Sequence, residues 1–139
     1  MLLKTVLSDD LEAHHLMFQL TPSRSHILWN VGHLAYAFDR VVVPAIGLES
    51  QLDDSDVEKF GIGSQPVADV AAYPVLEEVT EKVANIVGAV VARLGSMSDG
   101  DLDTALPDSS PVKELFPTLG ALLGAAVFHA GYHTGQIAL

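Results

Sequence analysis

The chain has 139 residues, and its 49% apolar and 18% charged composition is that of a folded domain with a buried core, one domain at roughly 100–200 residues each. Seven Lys and Arg against 18 Asp and Glu leave a net charge of −11, which argues against a nucleic-acid groove, where phosphates demand concentrated positive charge. With no cysteine, disulfides, thiolate metal sites and a protein-borne thiol nucleophile are excluded, so chemistry falls to His, carboxylates, hydroxyls or a bound ion.

Asp9, Asp10 and Glu12 interrupt the stretch that a secretory signal would keep apolar, and the expected location is the cytoplasm. Leu3, Leu7, Leu11, His14 and Phe18 share one helical face, which predicts a first helix over residues 1–20, stopped by Thr21 and Pro22. Ser23 or Ser25 can cap a second helix from about Ser25 to Val43, with Leu28, Val31, Ala35, Phe38 and Val42 as its core stripe and Pro44 and Gly47 closing it. From Leu48 to Tyr73 acids, glycines and prolines dissolve the pattern into a long connection. After Pro74 a third helix carries Leu76, Val79, Val83, Ile86, Val90 and Leu94 to Gly95. The fourth, Thr118 to Leu139, sets Leu119, Leu122, Ala126, His129, His133 and Gln136 on one seam and Gly120, Gly124, Gly131 and Gly135 on another stripe.

This last helix contains no Asp, Glu, Lys or Arg and is long enough to span a bilayer. Two histidines on its seam and the lack of a basic flanking anchor favour instead a helix buried by its own bundle and by a second subunit. Four helices with one long crossover predict an all-α four-helix bundle in which helix three follows the direction of helix two.

His129 and His133, four residues apart, aim two imidazoles at one point. Such a pair alone could be core histidines bonded to a carbonyl or a carboxylate. His33 is about 12 Å down helix two from the helix one–two loop, and His133 and His129 lie about 9 and 15 Å from the end of helix four. If those helices are antiparallel, the three heights coincide and His33, His129 and His133 converge as a three-nitrogen divalent-metal site with positions left for water or substrate.

Ser25-His26-Ile27-Leu28-Trp29-Asn30-Val31-Gly32-His33-Leu34-Ala35 resembles the second-helix motif of the DinB/YfiT-like metalloprotein superfamily. His129-Ala130-Gly131-Tyr132-His133-Thr134-Gly135-Gln136-Ile137 resembles its fourth-helix motif, with weaker similarity at Phe60-Gly61, Tyr73-Pro74 and Phe116-Pro117-Thr118. The resemblance implies an up-down-down-up bundle that binds nickel or zinc through His33, His129 and His133, often as a homodimer. It also implies, for some relatives, transfer or isomerisation with a low-molecular-weight thiol such as bacillithiol, mycothiol or glutathione. The sequence departs from the family in ending six residues after His133, where relatives commonly continue through a basic helical tail.

Three imidazoles leave a divalent ion electrophilic enough to deprotonate a thiol or water near neutral pH. The expected function is therefore a metal-dependent transferase or isomerase acting on a small molecule with a thiol cosubstrate. The alternatives are a non-catalytic dimeric metal- or ligand-binding bundle and, third, a metal-dependent hydrolase. No glutamate adjoins the helix-four pair, so the proton acceptor is open: His14 is a candidate pocket base or extra ligand, a core histidine being the plainer reading. Gln136 is expected to orient a ligand ring, Trp29 to form an apolar pocket wall or simply core, and Asp39 to pair with Arg40 or Arg93. His26 is read as either pocket mouth or solvated first turn, and His15 as exposed. Asp99, Asp101 and Asp103, Gly61-Ile62-Gly63 and the Ser96–Ser98 region lack the partners of a calcium loop, a nucleotide loop and a nucleophile elbow.

Overall fold

A computed structural model describes residues 7, 11–21 and 24–138 of the chain. Among the described residues the protein is helical and holds no strand, only an isolated antiparallel bridge between Ala105 and Thr118. The helices are α1 (Ala13–Leu16), α2 (Ile27–Ala37), α3 (Asp54–Phe60), α4 (Leu76–Leu94) and α5 (Leu119–Ile137). No helix among these residues is long and apolar enough to cross a membrane.

Much of the predicted first helix, residues 1–6 and 8–10, lies outside the described residues, and the remainder corrects the expectation. Helix α1 begins at a capping box between Glu12 and His15 and closes early, because the Phe18 N–H turns back to the His15 carbonyl instead of extending the ladder. Leu16 is buried and Leu7, Leu11 and Met17 pack on the core, whereas His14 and Phe18 face solvent.

Helix α2 is the central element and packs against α3, α4 and α5. Its N-cap is His26, whose Nδ1 accepts from the Trp29 N–H at 3.1 Å, not a serine; Ser25 donates instead to Asn30 Oδ1 at 2.9 Å. Pro44 has no N–H to return to the preceding turn, and the chain widens there into a π turn over Phe38–Val42 before Val43–Ala45 finishes the helix. Gly47, at φ +76°, makes the left-handed exit.

The connection after α2 is less irregular than its sequence suggests. Asp53 caps α3 by accepting from the Asp56 N–H at 2.9 Å, Asp54 and Asp56 occupy its first turn and Lys59 its last, all favourable to the helix dipole. Phe60 ends this helix fully buried, directly over Gly32 of α2. A Cβ at Gly32 would land inside the Phe60 ring, so the glycine sets how closely α3 approaches. Asp39 fastens the start of the same connection: it is fully buried and accepts from the Gln51 N–H at 2.6 Å and the Leu52 N–H at 3.2 Å.

Helix α4 follows the predicted seam: Val79, Val83, Ile86 and Val90 are buried against α2, each contributing about 1.5–3 kcal/mol. Thr118 caps α5, and the Leu119 N–H donates to the Thr104 carbonyl at 2.9 Å, tying the helix start to the turn at Asp99–Asp103.

Candidate metal centre

One face of α2 carries the half-buried Trp29 and Tyr36 and the buried His33, spaced four and three residues apart so that their rings stack along one side. Trp29 lies flat against His33, with centroids 4.6 Å apart and planes 10° apart, and is held by donation from Nε1 to Ser64 Oγ at 3.1 Å. Tyr36 covers His33 from the other direction at 6.0 Å. Trp29 thus packs on a candidate ligand ring, while the cavity beside the rings is lined by other residues.

His129 and His133 reach this face from α5. Ring centroids are 5.4 Å apart for His33–His129, 5.0 Å for His33–His133 and 4.5 Å for His129–His133. One nitrogen from each of the three lies within 4.8 Å of the other two, and no other such cluster of His, Asp or Glu exists among the described residues.

Two of the rings are oriented by what they bond on the far side. His33 Nδ1 lies 2.8 Å from the Phe60 carbonyl oxygen, which can only accept, so the hydrogen sits on Nδ1 and Nε2 keeps its lone pair. His133 Nδ1 stands 3.0 Å from Asn30 Oδ1, which also accepts from Ser25, and the same tautomer follows. His129 Nε2 is buried with no hydrogen-bond partner. A buried, unbonded imidazole nitrogen beside two rings with outward lone pairs is a donor set that suits a divalent metal ion.

The electrostatics agree. Burial lowers the pKa of His33, against the opposing bond to Phe60, and burial followed by the charge of His33 lowers that of His129. His133 is pushed down to about 4, first by burial and then by His129 and His33, with Gln136 opposing. All three rings are therefore neutral at pH 7, the form that ligates a metal.

The remaining expected residues are placed differently. His14 is exposed, 3.3 Å from Glu12 and with its ring tilted against that of His15, so it supplies neither a pocket base nor a fourth ligand here. It lies within α1 two residues before the buried Leu16, and so on the opposite side of that helix. Gln136 donates to Tyr132 Oη at 3.3 Å and also bears on the His133 ring, whose Nδ1 is bonded by Asn30. His26 is neither pocket mouth nor solvated: it is buried under Tyr73 as the cap of α2. Asp39 does pair with Arg40, at 3.5 Å, but in the interior.

Asn30 and Phe60 are the functional positions that sequence reasoning missed. Asn30 had a signal, a lone amide in the apolar run Leu28–Ala35. Phe60 acts through its backbone carbonyl, which no side-chain pattern reveals; only Gly32, the space it needs, is visible.

The family model described as the DinB superfamily matches residues 6–137 of the chain. No curated protein and no solved structure matches it.

Proposed function

The chain belongs to the DinB superfamily, and from that membership and the three converging imidazoles we propose a metal-dependent transferase or isomerase that uses a low-molecular-weight thiol. The observation that carries the reading is the unbonded, buried His129 Nε2 beside two rings whose tautomers present Nε2. His33, His129 and His133 would hold nickel or zinc, which imidazole suits equally. Bound there, the ion would supply Lewis-acid activation of a thiol or a water near neutral pH.

The chain's own residues prepare that chemistry. The Phe60 carbonyl and Asn30 fix ring orientation, as outer partners of metal-bound histidines do. Trp29 and Tyr36 keep water from the His33 side. The reading includes the up-down-down-up helix order and a homodimer. The dimer is supported by Val127 and Tyr132, exposed on a helix without a charged residue and beside the open glycines Gly124, Gly131 and Gly135.

Metal analysis of protein purified without a histidine tag tests the site. Wild type retains a stoichiometric divalent ion and His133→Ala does not; equal content in both would remove the assignment. Screening the metal-loaded protein with several cellular thiols then decides the reaction. Turnover with water alone would make it a hydrolase, and silence with every thiol a binding bundle.

A further inference from the structure

Beside the three rings lies a cavity of about 290 Å³, with His33 and His129 in its wall. The rest of the lining is apolar: Phe38, Val41, Phe116 and Ala126 are typical of it, and Tyr36 brings the one further hydrogen-bonding side chain. No Lys, Arg, Asp or Glu lines it.

Among the described residues, Arg24 does not line the cavity and the other five Lys and Arg are bonded elsewhere. Arg40 donates to the Leu52 carbonyl, Arg93 to the Ile46 carbonyl and Ser96, and Lys82 pairs with Asp56 and Glu78. Lys59 bonds Ser55 and Lys113 pairs with Asp108. A carboxylate entering the apolar part of the cavity, away from the three rings, would lose its water with no cationic side chain to replace it, against the field of a chain of net charge −11. An ammonium group fares no better, because the buried carboxylates Asp39 and Asp56 are already bonded outside the cavity. The volume, just under the range of about 300–1,000 Å³ for ligand pockets, fits a ring-sized group.

We propose that this cavity is the substrate subsite of the centre and takes a neutral, apolar, ring-sized group, excluding charged ones. The assignment as a substrate subsite rests on the metal-dependent reading above, while the selectivity belongs to the cavity walls. It follows that any anionic part of a thiol cosubstrate stays outside the cavity.

The test uses three ring-sized probes of different charge, benzyl alcohol, benzoate and benzylammonium, titrated into the ¹⁵N-labelled full chain, both metal-stripped and zinc-loaded. Amide shifts around Val41 and Ala126 give the dissociation constants. Benzyl alcohol is expected to bind at least tenfold more tightly than either ion in the metal-stripped form, where the walls alone select; zinc on the three rings adds a charge that draws benzoate, so the loaded form reports whether the ion sits at the cavity wall. Ala126→Phe, which fills the cavity, is expected to lose that binding more than tenfold while taking up zinc as wild type does. Val41→Trp serves if circular dichroism shows the first variant unfolded. In the metal-stripped form, equal affinity for the three probes, preference for an ion, or no binding overturns the proposal. So does binding that emerges only on dilution, which would assign the cavity to a second copy of the chain. Neutral preference without zinc uptake supports the selectivity and counts against the metal centre, so the two failures are separable.

Discussion

Helices α2 and α5 share a composition: neither Ile27–Ala37 nor Leu119–Ile137 contains an Asp, Glu, Lys or Arg. Their burial differs sharply. Most of α2 is enclosed by α3, α4 and α5, while along α5 Leu119, Leu122, His133, Thr134 and Ile137 are the buried residues and Val127, Phe128 and Tyr132 stand exposed. Hydropathy therefore marks both helices as interior and cannot say how many neighbours each has. The site straddles this asymmetry. Helix α2 contributes one ring and the Asn30 amide; α5 contributes two rings, of which His133 is tied to α2 and His129 is left with an open nitrogen. The enclosed helix orients, and the half-open helix supplies the free donor.

The strongest way to break this comparison is to remove the tied ring. His133→Ala is expected to cut divalent-metal affinity by more than the about 10–100-fold that an outer partner contributes. Calorimetric titration with zinc checks it; a loss smaller than that range would mean that α2 and α5 do not share an ion.

The enclosure of α2 is tested at Gly32. A methyl there collides with the Phe60 ring, so Gly32→Ala should cost about 1–3 kcal/mol of stability through overpacking. It should also weaken metal binding, since the Phe60 carbonyl that holds His33 is displaced. Denaturant unfolding with unchanged midpoint would show that α3 is not seated as described. A smaller and more selective effect is expected at Asn30. Asn30→Ala leaves the His133 Nδ1 hydrogen without its acceptor and should lower metal affinity about 10–100-fold. Asn30→Asp, which keeps an acceptor oxygen, should restore most of it, an outcome that a purely structural role for Asn30 would not produce.

Acid sharpens the contrast between tied and exposed histidines. The folded pKa values of His33, His129 and His133 lie below the ordinary value of 6.5, that of His133 at about 4. The unfolded chain therefore takes up protons that the folded chain refuses, and stability falls as pH drops from about 6.5 towards 4. Above that window the rings contribute no pH dependence, because they are neutral in both states. The melting temperature of metal-stripped protein should decline by several degrees across the window, and less steeply in His133→Ala. A flat profile in both would show that the rings are not buried as a group.

How much of this was legible beforehand depends on the kind of signal. Helices α4 and α5 declared themselves through unbroken apolar seams, and His33, His129 and His133 through spacing and helix length. Helix α3 was hidden in an acid-rich stretch, although Asp53 and the acids after it are a cap and a first turn rather than a loop. The helical reading of residues 11–20 failed because spacing records which residues could share a face, not where the backbone stops: here the ladder closes at Phe18. His14 lies inside the short helix, but there Leu16 takes the inward face and His14 the solvent side. Asn30 was one amide in an apolar run, and the Phe60 carbonyl left no trace, since backbone bonds across 27 residues have no side-chain signature.

The smallest expected effect bears most directly on the open side of α5. A Cβ at Gly131 meets nothing within 4 Å, and the residue has ordinary helical φ, so within one chain Gly131→Ala removes a flexible residue without a clash. It should stabilise the monomer by about 0.5–1 kcal/mol, the difference between glycine and alanine inside a helix. If a second copy packs its backbone against this stripe, the same methyl intrudes on the interface and the gain turns into a loss that grows with protein concentration. Melting curves at two concentrations, with sedimentation to follow the oligomer, separate the cases. A concentration-independent rise breaks the proposed dimer on this face. A concentration-dependent fall shows that α5 is as enclosed as α2, with the missing neighbour supplied by another chain.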